Sequence, residues 1–244
     1  MEDYTRNFNV VLSVIQQRSS YDFSNYRRPS LWRRYVKIAE NEGMTSKEII
    51  YKLETSDEYL EYVVKEMTIT TTELFRDPET WLMIRNNVIP AISNNDSIRI
   101  WHAGCSNGLE VYSMLILLNE VNRLEGSLVY GTDLNRDVLD EAEMGHYGYR
   151  FSASYIENFN KVFARDILEK GDPKCEHYFL VDPNRDIIKI RPFLTRKALF
   201  LQHDLADTQE FFSGSFDLIL CRNVLIYFNH ILQKKGHSNL YERF

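Results

Sequence analysis

Apolar residues recur at helical spacing through the first third of the chain, and almost no strand pattern interrupts them. The periodic positions, three or four residues apart, are Phe8, Val11, Leu12, Ile15, Leu31, Tyr35, Ile38, Ile49 and Leu53. Gly43 predicts the end of one helix, and Thr55-Ser56-Asp57 and Asp77-Pro78-Glu79 predict the starts of two others. We therefore predict a helical N-terminal domain with its linker over residues 1–92.

From residue 97 the pattern changes to short apolar runs that alternate with helical ones. The predicted strands are 98–103 and 128–133, and the predicted helices are 109–121 and 137–144. Strands alternating with helices are typical of a parallel sheet, so residues 93–244 are predicted to form an α/β domain. Closely spaced apolar runs at 178–181, 187–190 and 198–201 break this rhythm. They predict a small antiparallel insertion over about 172–200, whose last run is open to rejoining the main sheet.

Composition narrows the class of protein. The chain has 244 residues, 44% of them hydrophobic, and its net charge of -6 argues against general attraction to nucleic acid. Cys105, Cys175 and Cys221 fit neither a disulfide framework nor a zinc site. They read as free thiols, so we expect a cytoplasmic protein without a metal. No apolar run approaches the roughly 20 residues that span a bilayer, so direct membrane insertion is not expected.

Polar residues follow the predicted strands where ligands gather in α/β folds. Gly104-Cys105-Ser106-Asn107-Gly108 follows the first strand; its glycines either allow close approach of a ligand or simply make the turn. Asp133 ends the second strand and either accepts two ribose hydroxyls or caps the next helix, although Asn135 could be that cap. His102 reads as a packed strand residue. There is neither a Walker lysine nor a G-x-G-x-x-G motif.

The apolar stretch 216–228 ends its strand on Arg222-Asn223, a polar pair that a merely buried strand would not need. Together with Gly104 and Asp133, this pair predicts a site for a cofactor that contains adenosine. The residues alone do not separate a nicotinamide from a sulfonium.

Four segments, in order and with matching spacing, resemble the motifs of CheR-type chemotaxis receptor methyltransferases over roughly residues 5–233. The segments are 72–77 (Thr-Glu-Leu-Phe-Arg-Asp), 103–113, 131–135 and 221–228. The resemblance implies a helical domain followed by a Rossmann-like domain with an antiparallel insertion. It also implies methyl transfer from S-adenosylmethionine to glutamate side chains on the cytoplasmic helices of chemoreceptors, with S-adenosylhomocysteine as product.

The resemblance also implies roles for individual residues. Arg76 and Tyr227 are expected to act at the transferred methyl group, Arg76 by holding the incoming carboxylate. Without the resemblance, an ion pair of Arg76 with Asp77 or Glu79 would be favoured. The expected cofactor contacts are Thr70, Thr72, Arg76, Gly104, Glu110, Asp133, Asp204, Leu205, Arg222 and Asn223. Thr70 and Asp204 depart from the family, which usually has asparagine at both positions.

A basic cluster stands out in the otherwise acidic chain. Its members are Arg27, Arg28, Arg33, Arg34 and Lys37. Arg33, Arg34 and Lys37 share one side of a predicted helix, so the cluster is either a solvated face or a docking surface for an acidic receptor helix.

The C-terminal segment departs from the family pattern. Gln233-Lys234-Lys235 runs directly into Gly236-His237-Ser238, so we expect the sheet to lack its last strands. An exposed edge of this kind favours a dimer. A catalytically impaired module that only binds the cofactor is therefore the alternative function. An NAD-linked oxidoreductase and a nucleic-acid methyltransferase are disfavoured, because their motifs are missing.

Overall fold

The computed structural model describes residues 2–19, 21–24, 26–67, 72–92, 97–149, 152–171, 173–205, 211–230, 233–234 and 240. The chain divides into two compact units, Met1–Ile69 with Asn223–His237 and Thr70–Arg222 with Ser238–Phe244. The sequence suggested a limit at residue 92. Leu74, Phe75 and Trp81 are fully buried in the core of the second unit, however, so the segment after residue 72 belongs there.

The first unit contains four helices. They are α1 (Glu2–Arg18), α2 (Arg28–Glu42), α3 (Ser46–Thr55) and α4 (Asp57–Met67). Gly43, with φ of 63°, ends α2 as predicted, and Thr45 forms a capping box with Glu48 at the start of α3. The Ser56 hydroxyl accepts a hydrogen bond from the Tyr59 amide at 3.1 Å and caps α4. The predicted start of this helix is confirmed.

Residues after Asn223 complete the first unit. Phe228 forms an antiparallel bridge with Tyr26, and the two rings pack edge to face at 5.1 Å. The amide of Arg27 donates to the carbonyl oxygen of Tyr227 at 2.7 Å. The segment that carries Tyr227 is therefore held against the start of the basic helix α2.

The second unit is an α/β fold around a parallel sheet. Its helices are α5 (Pro78–Met83), α6 (Ile89–Ile92), α7 (Leu109–Glu120), α8 (Arg136–Met144), α9 (Ser152–Lys170) and α10 (Pro192–Thr195), with a π-helical turn at Ile84–Val88. Its strands are β1 (Ile98–Ala103), β2 (Ser127–Asp133), β3 (His146–Gly148), β4 (Phe179–Asp182), β5 (Ile187–Ile190), β6 (Ala198–Gln202) and β7 (Leu218–Leu220). Nine of the twelve residues of α7 are buried, which makes this helix the centre of the core.

Two sheets divide the strands. The parallel sheet has the order β6-β2-β1-β7, so β6 rejoins the main sheet after the insertion. The small antiparallel sheet has the order β3-β5-β4. A small antiparallel sheet is therefore present, as the sequence predicted. Its third strand, β3, lies before α9 and thus before the predicted range; three residues are too few to show a strand period.

Strand β7 pairs with β1 alone, so it is an edge of the parallel sheet in the part of the chain that the structure describes. The predicted loss of later strands concerns residues 235–239 and 241–244, which lie outside the described residues. None of the helices in the described ranges is both long enough and apolar enough to cross a membrane.

Candidate active site

The loop between β1 and α7 has a strained, tightly fastened backbone. Gly104, Ser106 and Gly108 all have positive φ, of 77°, 52° and 83°. The amides of Gly104 and Cys105 both donate to the carbonyl oxygen of Thr132, at 2.7 and 2.8 Å. Strain of this kind in a non-glycine residue such as Ser106 persists only where the surroundings impose it, and it clusters at functional sites.

Gly108 has a packing reason to be glycine. A Cβ atom there would lie 2.8 Å from the Cβ of Ala142 and 2.9 Å from the ring of Phe200. Packing against Ala142 and Phe200 is therefore sufficient to explain the glycine at position 108, without a ligand.

Asp133 is fixed to this loop by both of its carboxylate oxygens. Oδ2 accepts a hydrogen bond from the Ser106 amide at 2.8 Å, and Oδ1 accepts one from the Asn135 amide at 3.0 Å. The cap of α8 is Asn135, whose Oδ1 accepts from the Asp137 amide at 2.9 Å. Asp133 is therefore not the helix cap. A carboxylate has about four lone-pair sites, so acceptor capacity remains for a hydroxyl donor.

Burial raises the pKa of the Asp133 carboxyl, while the hydrogen bonds from the Asn135 and Ser106 amides oppose this rise. A half-buried carboxylate with spare acceptor capacity gains from a ligand that supplies donors. The cis hydroxyls of a ribose are such donors.

A chain of four polar residues crosses the ends of β1, α7 and β7. The Nδ1 of His102 lies 2.8 Å from Oε1 of Glu110, and Oε2 of Glu110 accepts from Nη1 of Arg222 at 3.1 Å. Nη2 of Arg222 donates to Oδ2 of Asp77 at 2.7 Å and to the carbonyl oxygen of Arg76 at 3.0 Å. We call His102, Glu110, Arg222 and Asp77 the polar network. Helix α5 begins after Asp77 as predicted, but the Asp77 side chain makes no cap hydrogen bond and binds Arg222 instead.

Opposing effects act on the pKa of Glu110. Burial raises this pKa. The interactions with His102 and Arg222 lower it by more than burial raises it, so the pKa of Glu110 lies below its usual value. Glu110 is therefore a carboxylate at neutral pH. Burial, and after it the charge of Glu110, raises the pKa of the neighbouring Cys221 to about 12, which leaves that thiol uncharged.

Arg76 sits in a strained turn. Its neighbours Phe75 and Asp77 have φ of 50° and 56°, unusual values for residues other than glycine. The Arg76 carbonyl oxygen accepts from Trp81 Nε1 at 3.0 Å and also from Arg222. The Phe75 amide donates to the hydroxyl of Ser113 on α7, at 2.8 Å. The turn is thereby tied to the polar network, and Asp77, one of the two carboxylates considered as an ion-pair partner of Arg76, binds Arg222.

The other predicted cofactor contacts lie in the linker, after β6 and after β7. Thr72 is half-buried at the start of the described linker, whereas Thr70 lies outside the described residues. Asp204 is half-buried and Leu205 is buried after β6, where the amide of His203 donates to the carbonyl oxygen of Asp133 at 2.9 Å. Asn223 is exposed with φ of 59° and opens the second part of the first unit, which also contains Tyr227.

The basic cluster belongs to the first unit and is only partly a free face. Arg28 donates to Asn9 and lies over the ring of Phe8, and Arg34 donates to the carbonyl oxygen of Glu66 at 2.9 Å. Arg33 and Lys37 are exposed one turn apart on α2. These two residues are thus the members best suited to contact a partner.

The sequence analysis interpreted His102 only as a packed strand residue and gave Ser113 no role of its own, yet the structure makes both functional candidates. A histidine in an apolar strand and a serine in an apolar helix give no periodic signal of their own. Their partners, Glu110 for His102 and the Phe75 amide for Ser113, are visible only in the folded structure.

A cofactor with hydroxyl and ammonium donors fits this site. Besides the Asp133 and Glu110 carboxylates, Oδ1 of Asn107 in the loop is buried and has no hydrogen-bond partner among the described residues. The order of a parallel sheet, a glycine loop after β1 and a carboxylate at the end of β2 defines the class as a Rossmann-like enzyme that binds an adenosine-containing cofactor.

The comparisons decide the family. The model of the CheR methyltransferase S-adenosylmethionine-binding domain matches residues 70–244, and the chain therefore belongs to the CheR methyltransferase family. It is 34% identical over 235 residues to the putative methyltransferase Cher3 of Pseudomonas putida, covering 96% of this chain and 82% of that protein. It is also 27% identical to a chemotaxis protein methyltransferase of Listeria innocua (99% and 85% covered) and 23% identical to that of Escherichia coli (94% and 76%). The protein is a methyltransferase, and its cofactor is S-adenosylmethionine.

Proposed function

We propose that the protein methylates glutamate side chains on the cytoplasmic helices of chemoreceptors and so serves chemotactic adaptation. Two of the relatives, from Listeria innocua and Escherichia coli, are named chemotaxis protein methyltransferases. The observation that carries the proposal is the Asp133 carboxylate, which the Ser106 and Asn135 amides hold in place and which retains acceptor capacity for a ribose. A cytoplasmic location is part of the proposal, because the receptor helices lie there.

The proposed cofactor contacts divide by chemistry. Asp133 binds the ribose, Leu205 and Asp204 flank the adenine, and Glu110 attracts the ammonium group. Thr70, Thr72, Gly104, Arg222 and Asn223 complete the set that the resemblance implies. Bound S-adenosylmethionine supplies a methyl group on a positively charged sulfur, and the Glu110 and Asp133 carboxylates suit the positive charge of the cofactor.

The acceptor makes modest chemical demands on the protein. The side chain of glutamate has a reference pKa of about 4.3, so it is ionised at neutral pH and needs no general base. What the residues have to supply is in-line placement at roughly 3 Å and exclusion of water. We assign Arg76 to hold the incoming carboxylate and Tyr227 to orient it. The strained, doubly anchored backbone around Arg76 supports its part of this assignment.

Docking of the substrate is proposed at the basic cluster. Receptor segments with several glutamates are acidic, and the exposed Arg33 and Lys37 offer complementary charge on α2. The hydrogen bond between the Arg27 amide and the Tyr227 carbonyl oxygen keeps the proposed orienting residue next to the start of that helix.

A labelled-methyl assay on receptor membranes tests the function. We expect radiolabel to pass from S-adenosylmethionine to the receptor and to be released by base, because carboxyl methyl esters are base-labile. Arg76→Ala should bind S-adenosylhomocysteine normally and transfer the label much more slowly. Arg196→Ala is the matched control, because Arg196 is an exposed residue of the same unit. Label that resists base would overturn the proposed acceptor.

The docking surface has its own test. The double variant Arg33→Glu/Lys37→Glu should lower kcat/KM for receptor at low salt by at least tenfold and leave cofactor affinity unchanged. Lys47→Glu, an exposed charge reversal on α3, is the control. An unchanged kcat/KM in the double variant would exclude this surface.

The alternative of a binding module without activity is not favoured, because the relatives carry methyltransferase names. A dimer through the exposed edge of β7 stays a prediction, which sedimentation of the purified protein at two concentrations would test.

A further inference from the structure

His102 is a fully buried polar side chain near the proposed cofactor site. It is 0% exposed, and its Nδ1 lies 2.8 Å from Oε1 of Glu110. An ionised carboxylate can only accept hydrogen bonds, so the shared proton belongs to His102 and its Nδ1 is the donor. Its Nε2 is buried with no partner among the described residues. Among the described residues, the imidazole ring therefore makes one polar contact, the one with Glu110.

Glu110 is held from two sides. Oε1 faces His102 on β1, and Oε2 faces Arg222 at the end of β7, so the carboxylate bridges two neighbouring strands from its place at the start of α7. Arg222 is itself balanced by Asp77. Two carboxylates therefore share Arg222, and His102 supplies the hydrogen bond that holds the other oxygen of Glu110.

We propose that His102 is a positioning residue for cofactor binding: it fixes the Glu110 carboxylate in the orientation that receives the positively charged ammonium group of S-adenosylmethionine. The inference rests on the proposed contact between Glu110 and the cofactor. It adds a residue that acts through Glu110 and touches no cofactor atom itself. A hydrophobic residue at position 102 would pack in the strand but would leave the Glu110 carboxylate held by Arg222 alone.

Replacing His102 tests this inference through binding rather than turnover. His102→Leu keeps an apolar side chain of similar bulk and removes the donor, and His102→Asn restores a donor near the position of Nδ1. Calorimetry with S-adenosylhomocysteine should show about tenfold weaker binding for the leucine variant, the usual loss for one hydrogen bond to a charged group. Most of that loss should be recovered in the asparagine variant.

The pH dependence supplies a second readout. The groups around Glu110 are His102 on β1, Arg222 after β7, Asp77 in the linker, and the uncharged thiols of Cys105 and Cys221. Removing the His102 donor should raise the pKa of Glu110. Affinity lost on acidification should then be lost at a higher pH in His102→Leu than in the unaltered protein.

Controls separate the inference from the function on which it rests. His177→Leu removes an exposed histidine of the same unit and should bind like the unaltered protein. Thermal melting identifies a variant that fails to fold. If Glu110→Gln binds normally, the proposed role of Glu110 is wrong; if Glu110→Gln weakens binding but folded His102→Leu does not, only the role of His102 is wrong. Equal weakening in the leucine and asparagine variants would also overturn it.

Discussion

The backbone amide of Phe75 donates a hydrogen bond to the hydroxyl of Ser113 at 2.8 Å, although the two residues are 38 positions apart. Ser113 in turn donates to the Leu109 carbonyl oxygen at 2.7 Å. One hydroxyl thus joins the strained turn before Arg76 to the first turn of α7. The residues proposed to hold the acceptor and the cofactor therefore share one support.

Ser113→Ala should loosen this support. The buried Phe75 amide would lose its acceptor, which costs about 1–3 kcal/mol of unfolding free energy. Urea denaturation measures that cost. Turnover should fall further than cofactor affinity does, because the turn that carries Arg76 loses an anchor. Ser97→Ala, at an exposed position before β1, is the control. A stable Ser113→Ala protein with normal turnover would show that the turn does not need this hydrogen bond.

Asp133 and Asn135 permit a paired comparison. Asp133→Asn presents an amide NH₂ to a backbone N–H donor that the carboxylate accepts, so cofactor affinity should fall at least tenfold. Asn135→Ala removes the cap of α8 and should cost about 1 kcal/mol of stability with a much smaller change in affinity. Calorimetry and thermal melting separate the two effects. Equal losses of affinity would mean that Asp133 acts only as part of the fold.

Acidification should weaken cofactor binding through Asp133 before Glu110. Burial raises the pKa of Asp133, whereas the pKa of Glu110 is lowered overall. Protonated Asp133 loses acceptor capacity, so affinity for S-adenosylhomocysteine should decline at a higher pH than the usual aspartate value of about 3.9. Titration calorimetry from pH 7.5 down to about pH 4.5 measures the decline. Asp133→Asn should lack this phase, and its persistence in that variant would assign the titration elsewhere.

The raised pKa of Asp133 also makes the stability of the fold depend on pH. Because the folded state raises the pKa of Asp133 above its unfolded value, folding favours the protonated form. Ionised Asp133 therefore opposes folding at neutral pH, and this cost disappears as the pH falls through the raised pKa. For Glu110, with its lowered pKa, the sign is opposite: it contributes stability above its unfolded pKa, and that contribution is lost as the pH falls through the folded value.

The strands and helices that surround the site could be predicted because their patterns are local. A few neighbouring residues are enough to predict the strand at 98–103, the helix cap at Asn135 and the helix end at Gly43. The observed elements agree with these predictions. Strand β3 could not be predicted in this way. It is three residues long, and it exists only because β5, some 40 positions later, pairs with it.

The contacts within the site depend on such distant pairing. Asp77 has the sequence context of a helix cap, yet its positive φ turns its carboxylate away from α5 and towards Arg222, 145 residues later. His102 has the context of a buried strand residue, and nothing near it in the sequence indicates Glu110 as its partner. Residue types at strand ends therefore predicted the class of ligand, whereas the network of hydrogen bonds required the fold.

Arg222→Lys tests whether the polar network needs a guanidinium. Arg222 uses Nη1 for Glu110 and Nη2 for both Asp77 and the Arg76 carbonyl oxygen, and its guanidinium lies 5.9 Å from the centre of the Trp81 ring. A lysine ammonium keeps the charge but cannot span these partners with fixed geometry. Turnover should fall by tenfold or more, and Glu110 and Asp77 should lose their common partner.

The control for this change is Arg185→Lys, an exposed arginine beside Asp182 in the same unit. Calorimetry with S-adenosylhomocysteine and the labelled-methyl assay should both detect the loss in Arg222→Lys, because one end of the network faces the proposed cofactor contact and the other fixes the turn of Arg76. A loss of affinity without a loss of turnover at saturating cofactor would confine Arg222 to the Glu110 side. Normal values for both would mean that positive charge alone suffices at position 222.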